Sequence, residues 1–341
     1  MAPELNEILR RVEKAKSTGD YEHACTELIH FATDASRIDL LSNAFRNSNS
    51  LWVRHGILTA YEMTDHTYWD TKYEKLPPHC REVILEDALI GIADKDERIR
   101  MKSSDIFSRA EGLFKEVNPE LGERAVKVLL ENSKRARESS VIEALGVADY
   151  SVVSPGTKKQ AIDFLKNAAL GGSSDAARGL DRIGDEDSKN EVRKHWLPKL
   201  DSKRERDIDR ALNIFSELEC KAAADKVVEI VKNGKKGFDY YNLNYVLRKS
   251  GDERHEATML KLMRNERGHY CIADMEILGK KGWRKSLEVL NGILKNTKDY
   301  NGQERDAAKK AIKEIEGRMT VSSKPAEEKL RKAMEKKKVP A

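Results

Sequence analysis

Residues 80–110 read CREVILEDALIGIADKDERIRMKSSDIFSRA, and this stretch decides the fold. Apolar side chains recur at helical spacing over residues 81–93, and the pattern stops at the Asp-Lys-Asp sequence of residues 94–96. A second helical pattern follows at once over residues 97–110. Two such short helices cannot bury their apolar faces by themselves, because each needs a neighbour of the same kind. The stretch therefore predicts one unit of a stacked helical array.

The same helix-pair pattern recurs along most of the chain. Nine pairs over about 315 residues give about 35 residues per repeat, which is within the range of helical solenoids. The predicted first and second helices are 4–17 and 21–33, 37–47 and 50–63, 80–93 and 97–110, 119–133 and 138–148, 156–170 and 174–183, 187–200 and 203–219, 220–233 and 239–249, 253–264 and 268–280, and 283–296 and 302–317.

Two junctions between pairs share a short sequence motif, in which the last apolar turn of a helix is followed by Gly and then Asp. The two copies of the motif end in Gly184-Asp185 and Gly251-Asp252. Glycine after a helix commonly takes the left-handed conformation, and aspartate then accepts a backbone N–H at the start of the next helix. We therefore predict a left-handed glycine and a capping aspartate at both junctions.

A second sequence motif places aspartate six residues before arginine at the turn inside a pair. Asp94 stands in this relation to Arg100, and Asp299 to Arg305. With the helix-pair pattern, these residues resemble HEAT repeats. The resemblance implies an all-α, right-handed α-solenoid of about nine stacked helix pairs, a HEAT/armadillo-like superhelix. It also implies that the four residues form a polar ladder between repeats and are structural.

The array is predicted to fill residues 1–318 as one solenoid domain with a single interruption. Residues 64–79 contain a Pro-Pro pair and are too long for a repeat turn, so they form an irregular insertion. The insertion either packs Tyr68 and Trp69 onto the array or presents them to a partner. Residues 319–341 form a basic tail that we predict to be disordered apart from a short helix.

Charge is distributed unequally along the chain. Residues 1–150 carry 21 Lys and Arg against 27 Asp and Glu, and residues 151–316 carry 34 against 28. Residues 317–341 add 8 against 3, so the overall excess of +5 lies largely in the tail. The array is therefore polarised, with an acidic first half and a basic second half. A partner of opposite polarity would bind it in one orientation.

Several functional classes find no support in the sequence. No apolar run approaches the ~20 residues that cross a bilayer, and the acidic start of the chain does not resemble a secretory signal. We therefore expect a soluble cytoplasmic protein without membrane contact. Three of the four cysteines, Cys25, Cys220 and Cys271, have apolar neighbours at helical spacing and are predicted to be reduced core thiols.

Motifs that carry chemistry are also missing. The glycines fall at helix junctions rather than in a phosphate-binding loop, and neither HExxH nor CxxC occurs. Metal-dependent hydroxylases on HEAT-like repeats use several His-Glu pairs, whereas this chain has only His255-Glu256, which we interpret as a solvated first turn. We therefore predict no catalytic residue, metal site, cofactor or small-molecule substrate.

The candidate contact surface lies on the second helices of the basic half. Second helices commonly line the concave face of a solenoid, and aromatic and basic residues cluster here. The candidate partner-binding residues are Arg178, Arg182, Arg210, Tyr241, Tyr245, Arg248, Trp283 and Arg284. The run Lys280-Lys281-Gly282-Trp283-Arg284-Lys285 is the strongest contact candidate among the helix junctions.

Three hypotheses for function remain open on this evidence. The leading one is a non-enzymatic scaffold that binds a macromolecule, most readily a protein, on its concave face. The alternative is a nucleic-acid-binding solenoid that uses residues 151–316 and the Lys-rich tail against phosphates. The third is an enzyme of the DNA glycosylase or chromophore-lyase type, for which the sequence offers no constellation of catalytic residues.

Overall fold

The structure is a computed structural model of the chain. It describes residues 3–64, 75–107, 113–114, 116–134, 138–233, 240–263 and 270–336. Within these ranges the regular structure is entirely helical. Tyr68 and Trp69 lie outside the described residues, so the choice between packing and partner contact for the insertion stays open.

Eighteen α-helices make up the described part of the chain. They are α1 (Pro3–Lys14), α2 (Thr18–Ala32), α3 (Ile38–Asn47), α4 (Leu51–Thr64), α5 (Pro78–Ile92), α6 (Glu97–Phe107), α7 (Pro119–Asn132), α8 (Glu138–Val147), α9 (Pro155–Leu170), α10 (Ser174–Ile183), α11 (Glu186–Trp196), α12 (Glu205–Glu217), α13 (Lys221–Lys232), α14 (Tyr240–Ser250), α15 (Glu256–Met263), α16 (Ile272–Lys281), α17 (Arg284–Lys295) and α18 (Gly302–Lys336).

The chain divides into two compact units, Met1–Val192 and Arg193–Ala341, with the boundary inside α11. In the N-terminal unit the helices form two layers. The first-helix layer contains α3, α5, α7 and α9, each packed on the next, and the second-helix layer contains α2, α4, α6, α8 and α10 in the same manner. Each pair is also closed by contact between its own two helices, as in α5 with α6 and α9 with α10.

The C-terminal unit repeats this arrangement. In its first-helix layer (α13, α15 and α17), α15 packs on α17, and in its second-helix layer (α12, α14, α16 and α18), α12 packs on α14 and α16 packs on α18. Helices α13 and α14 pack together, as do α17 and α18. The predicted all-α solenoid of stacked helix pairs is therefore confirmed in the described residues.

Most predicted helix ends lie within three or four residues of the observed ones. The largest difference is at the end of the array, where α18 continues to Lys336 instead of ending near 317. The sequence-based boundary at residue 318 and the character of the basic tail stay predictions.

The two Gly-Asp junctions behave differently. Gly184 has φ 79° and is left-handed, as predicted, and Asp185 accepts the backbone N–H of Ser188 at 3.0 Å. Gly251 does not take the left-handed conformation, so that prediction is wrong. Glycine is required there for another reason, because a Cβ at this position would lie 2.4 Å from the Leu247 carbonyl oxygen.

Two other glycines set the spacing of the second-helix layer. Gly146 on α8 faces Gly179 on α10, and a Cβ built on either glycine would lie 2.9 Å from the Cα of the other. Side-chain carbon atoms normally approach no closer than about 3.5 Å. The two backbones can therefore pack at this distance only because neither residue has a side chain.

Candidate functional site

Among the described residues of the C-terminal unit, two large apolar side chains are exposed, and both belong to second helices. Tyr245 on α14 is 49% exposed and Ile272 on α16 is 38% exposed. Large apolar side chains at this degree of exposure are typical of contact sites when they occur together on one surface.

An ion pair links the two helices that carry these residues and supports Tyr245. The guanidinium of Arg248 lies over the Tyr245 ring, 5.2 Å from its centroid, and pairs with the carboxylate of Asp274. Asp274 is only 6% exposed and also accepts the backbone N–H of Cys271 at the start of α16. The ion pair thus joins α14 to α16, and its arginine supports one face of Tyr245. Arg248 therefore acts as a brace, because its charge is already compensated by Asp274.

The second-helix layer of the N-terminal unit also carries an exposed aromatic residue. Trp52 on α4 is 46% exposed, and Arg98 of α6 lies over its ring at 5.7 Å. The rings of Tyr21 on α2 and Trp52 pack edge to face, with their centroids 5.3 Å apart. Asp96 pairs with Arg98 at 3.1 Å and fixes its position. Trp52 and Arg98 come from two adjacent second helices, whereas Tyr245 and Arg248 of the C-terminal unit lie on the same second helix.

His55 completes this aromatic cluster. Its Nδ1 lies 2.6 Å from the hydroxyl oxygen of Tyr21. Burial, followed by the nearby charges of Lys102 and Arg98, lowers the pKa of His55, while burial raises the pKa of Tyr21. Both groups are therefore neutral near pH 7, and they form a polar support beneath Trp52. Sequence inspection missed this cluster because its members come from α2, α4 and α6, which belong to three successive pairs.

The remaining predicted contact residues are spread over several helices. Arg178 on α10 pairs with Asp175 at 3.3 Å, Arg210 on α12 is half-buried, and Arg284 is exposed at the start of α17. Trp283 is half-buried directly before α17. The side chain of Tyr241 lies outside the described residues. Of the eight candidates, the structure brings Tyr245 and Arg248 into direct contact.

Two open depressions lie where second helices end and first helices begin. The first, of about 470 Å³, is lined by residues 146–151 together with Lys158, Arg182 and Ile183. The second, of about 430 Å³, lies in the C-terminal unit beside Gly282 and Trp283. Arg182 and Trp283 therefore face the junction edge of the solenoid rather than the middle of its second-helix layer.

The predicted ladder residues lie at the turns within their pairs. Asp94 pairs with Arg54 of the preceding pair at 2.6 Å, and Arg100 donates to the Asp94 carbonyl oxygen at 2.9 Å. Arg305 donates to the Tyr300 carbonyl oxygen at 2.7 Å, and the Asp299 carboxylate accepts from the side chain of Asn296 at 2.8 Å. These contacts hold turn backbones and, through Asp94, two successive pairs. The purely structural role of the four residues stays a prediction.

Sequence inspection missed another set of contacts between repeats, in which a carboxylate binds the start of the next first helix. Glu82 accepts the backbone N–H of Asn118 at 2.7 Å, before α7. Glu123 accepts the backbone N–H of Ser154 at 2.7 Å and the hydroxyl of Thr157 at 2.7 Å, at the start of α9. Helix starts attract negative charge, so these carboxylates couple neighbouring pairs.

Glu256 is the most deeply buried member of this set. It is 5% exposed and accepts the backbone N–H groups of Trp283, Lys285 and Ser286, as well as the Ser286 hydroxyl at 2.7 Å. His255 is also buried and pairs with Asp225 at 2.9 Å. The interpretation of His255-Glu256 as a solvated turn is therefore wrong. The partners lie about 30 residues away, and no local pattern indicates them.

The described residues contain no group of three or more His, Cys, Asp or Glu that could hold a metal ion. All four cysteines have free thiols, and Cys25 and Cys80 are buried. Cys271 is exposed at the start of α16, so its placement in the core was wrong. No helix in the described part of the chain is long and apolar enough to span a membrane.

The two-layer packing of the helix pairs defines the protein as an all-α solenoid. No protein-family model and no curated protein matches the sequence. An engineered protein of known structure is similar over 92% of this chain and 99% of that chain, with 13% identity and a TM-score of 0.31. A designed armadillo repeat protein covers 92% and 100%, with 12% identity and a TM-score of 0.25.

A third similar structure is described as one in which Kap95p binding induces the switch loops of RanGDP to adopt the GTP-bound conformation. It covers 91% of this chain and 45% of that chain, with 14% identity and a TM-score of 0.39. Since all three scores are low, the solenoid assignment rests on the order and packing of the helices described above.

Proposed function

We propose that the protein is a non-enzymatic scaffold that binds a partner protein on its second-helix layer. The observation that carries this proposal is the exposed ring of Tyr245, braced by Arg248 and its ion pair with Asp274 on α16, the helix that also carries the exposed Ile272. Tyrosine, tryptophan and arginine are the residues that most often dominate binding energy at protein interfaces.

Pre-organisation is the physical argument for this surface. Ordering a flexible side chain on binding costs about 0.5–1.5 kcal/mol. Arg248 already restrains Tyr245 in the free protein, so part of this cost has been met during folding. Trp52 and Arg98 have the same relation in the N-terminal unit. An exposed ring that the fold holds rigid is an anchor suited to a groove or pocket on a partner.

Cross-linking at defined positions tests this proposal. A photoreactive amino acid is placed at position 245 or 272 in the full chain, in the source cell. The matched control is position 90, because Ile90 is 43% exposed but lies on α5 in the first-helix layer. We expect discrete protein adducts from 245 and 272 that position 90 does not give. Equal adducts from all three positions, or none from 245 and 272, would refute the proposal.

Substitution then measures the energetic role of the two residues. Once the adduct is identified, its affinity is measured for the wild type, for Tyr245→Ala with Ile272→Ser, and for Ile90→Ser. Removal of a central aromatic anchor commonly weakens binding tenfold or more, by about 1.4 kcal/mol or greater. We expect this loss for the double variant only. An unchanged affinity would show that the pair does not contribute to binding.

Nucleic-acid binding is the second candidate, and the charge of the C-terminal unit favours it. Residues 193–341 carry 36 Lys and Arg against 24 Asp and Glu. This alternative predicts nuclease-sensitive adducts at position 245 and an affinity for oligonucleotides that falls steeply between 50 and 200 mM salt, by a factor of about 10³ or more for six phosphate contacts. Binding that is undetectable at low salt would exclude it.

A further inference from the structure

The depression beside Gly282 and Trp283 collects cations from three separate segments of the C-terminal unit. Lys280 and Lys281 end α16, Arg318 comes from α18, and Lys221 begins α13. Its volume of about 430 Å³ lies within the usual range for ligand sites, about 300–1,000 Å³. None of these four residues is close to another in sequence except the two adjacent lysines, so the cluster is created by the fold.

The backbone that forms this end of the depression is fixed from several sides. Arg318 donates to the carbonyl oxygens of Gly279 and Gly282, the latter at 2.8 Å. A Cβ on Gly282 would lie 2.5 Å from both the Leu278 carbonyl oxygen and the Ser286 hydroxyl, so only glycine fits. The chain therefore turns sharply here, and it leads directly into Trp283. The site is pre-formed rather than assembled by its ligand.

More cationic side chains lie at the end of α16 than its carbonyl groups need as hydrogen-bond donors. A helix C-terminus attracts positive charge, and Arg318 already satisfies two carbonyl groups there. Lys281 bonds the Lys249 carbonyl oxygen at 3.4 Å, whereas Lys280 is exposed and has no partner among the described residues. A guanidinium has five N–H donors, so Arg318 retains donors beyond these two bonds. The Trp283 end of the depression thus presents unused positive groups.

The helix that starts next to the depression does not supply the binding groups. The first backbone N–H groups of α17 are occupied by the carboxylate of Glu256. An incoming anion would therefore be held by the side chains of Lys280, Lys281 and Arg318. These are the long, cationic donors that suit a carboxylate or phosphate oxygen.

Acidic residues at the other end limit the kind of anion that fits. Glu219 and Glu253 line the depression and are exposed, while Asp252 is compensated by Arg254 at 2.9 Å. No cation among the described residues pairs with Glu219 or Glu253, so their charge would repel the closely spaced phosphates of a nucleic acid. A single oxyanion on an otherwise neutral segment would meet only the cationic end.

We propose that this depression is a subsite for one oxyanion group of a partner peptide, either a carboxylate or a phosphate, held by Lys280, Lys281 and Arg318 beside Trp283. The proposal rests on the proposed scaffold function, because the partner protein supplies the oxyanion. It predicts that the partner carries one negatively charged group where it contacts the C-terminal end of α16.

Titration of the full ¹⁵N-labelled chain with three short peptides tests the subsite. One peptide contains a central phosphoserine, the second has glutamate in its place, and the third has unmodified serine. We expect the charged peptides to shift the backbone signals of Gly282 and the indole signal of Trp283, and the neutral one to leave them unchanged. Tighter binding of the phosphoserine peptide identifies phosphate as the ligand, and equal binding identifies a carboxylate.

Lys280→Gln with Lys281→Gln is the test variant, and Lys295→Gln is the matched control, since Lys295 is exposed on α17 outside the depression. The test variant should bind the charged peptides about three- to tenfold more weakly, and the control should bind normally. Tyr245→Ala should also bind normally, so a failed Tyr245 interface remains distinguishable from a failed subsite. Equal binding of the neutral peptide, unchanged affinity in the test variant, or tighter binding of a single-stranded oligonucleotide would overturn the proposal.

Discussion

Replacing Gly146 by alanine tests whether the second-helix layer is spaced by its glycines. The added Cβ would lie 2.9 Å from the Cα of Gly179, which belongs to the backbone of α10 and cannot rotate away. Relief requires that α8 and α10 separate by about 0.5–1 Å. A gap of this size removes a quarter to a half of the attraction between atoms across the contact.

The expected net effect is a loss of about 1–2 kcal/mol in the free energy of unfolding. Overpacking a well-packed contact typically costs about 1–3 kcal/mol, and a backbone neighbour that cannot move aside places this contact at about 2–3 kcal/mol. Alanine in a helix interior recovers about 1 kcal/mol relative to glycine, which offsets part of that cost. The direction is set by the rigid neighbour, because a flexible side chain in the same place could have moved aside.

Urea unfolding followed by circular dichroism measures this loss, and hydrogen exchange of the α8 and α10 amides shows whether it is local. Gly156→Ala is the matched control in the same unit, since a Cβ at Gly156 meets nothing within 4 Å. We expect the control to match the wild type within about 0.5 kcal/mol. A Gly146→Ala protein as stable as the control would refute the close approach of the two helices.

Two further predictions concern the carboxylates that join successive pairs. Glu256→Gln should destabilise the protein by about 2–3 kcal/mol, because the start of α17 loses a buried charged acceptor. The control is Glu288→Gln, an exposed position on α17, which should change the urea midpoint little. Equal midpoints for the two variants would contradict the role of Glu256. Hydrogen bonds from Thr157 and other neighbours hold the pKa of Glu123 at about 2, against an ordinary 4.5. Since its folded pKa is depressed, its contribution is complete above about pH 5 and is lost as the pH falls towards 2. Glu123→Gln should flatten the dependence of unfolding on pH in that window, and an unaltered acid limb would exclude the contribution.

The helix pairs could be predicted because their signals are local. Apolar spacing of three to four residues and breaks such as Asp94-Lys95-Asp96 specify helix and turn without reference to distant residues. The prediction at Gly184 succeeded for the same reason. Gly251 failed because the conformation of a helix end also depends on the next pair, whose 3-10 turn at Glu253–His255 starts directly after it.

The candidate site was only partly predictable. Tyr245 and Arg248 are one helical turn apart, so their contact follows from sequence spacing. The exposure of Tyr245 does not, because a Tyr at helical spacing is equally compatible with a core position. Trp52 was overlooked because its support comes from Tyr21 and Arg98, which belong to the two neighbouring pairs.

By itself the sequence determined the repeating helix pair, the approximate ends of its helices and the unequal charge of the two halves of the chain. These properties depend on residues within about one turn of each other or on simple counts. Only the tertiary structure decided which polar residues are consumed in holding the stack and which remain available. Arg248 and Glu256 look alike as charged residues on helices, yet both are committed to partners about 30 residues away, whereas Lys280 is not. The stacking of one pair on the next makes that distinction, because it brings residues from successive repeats into contact.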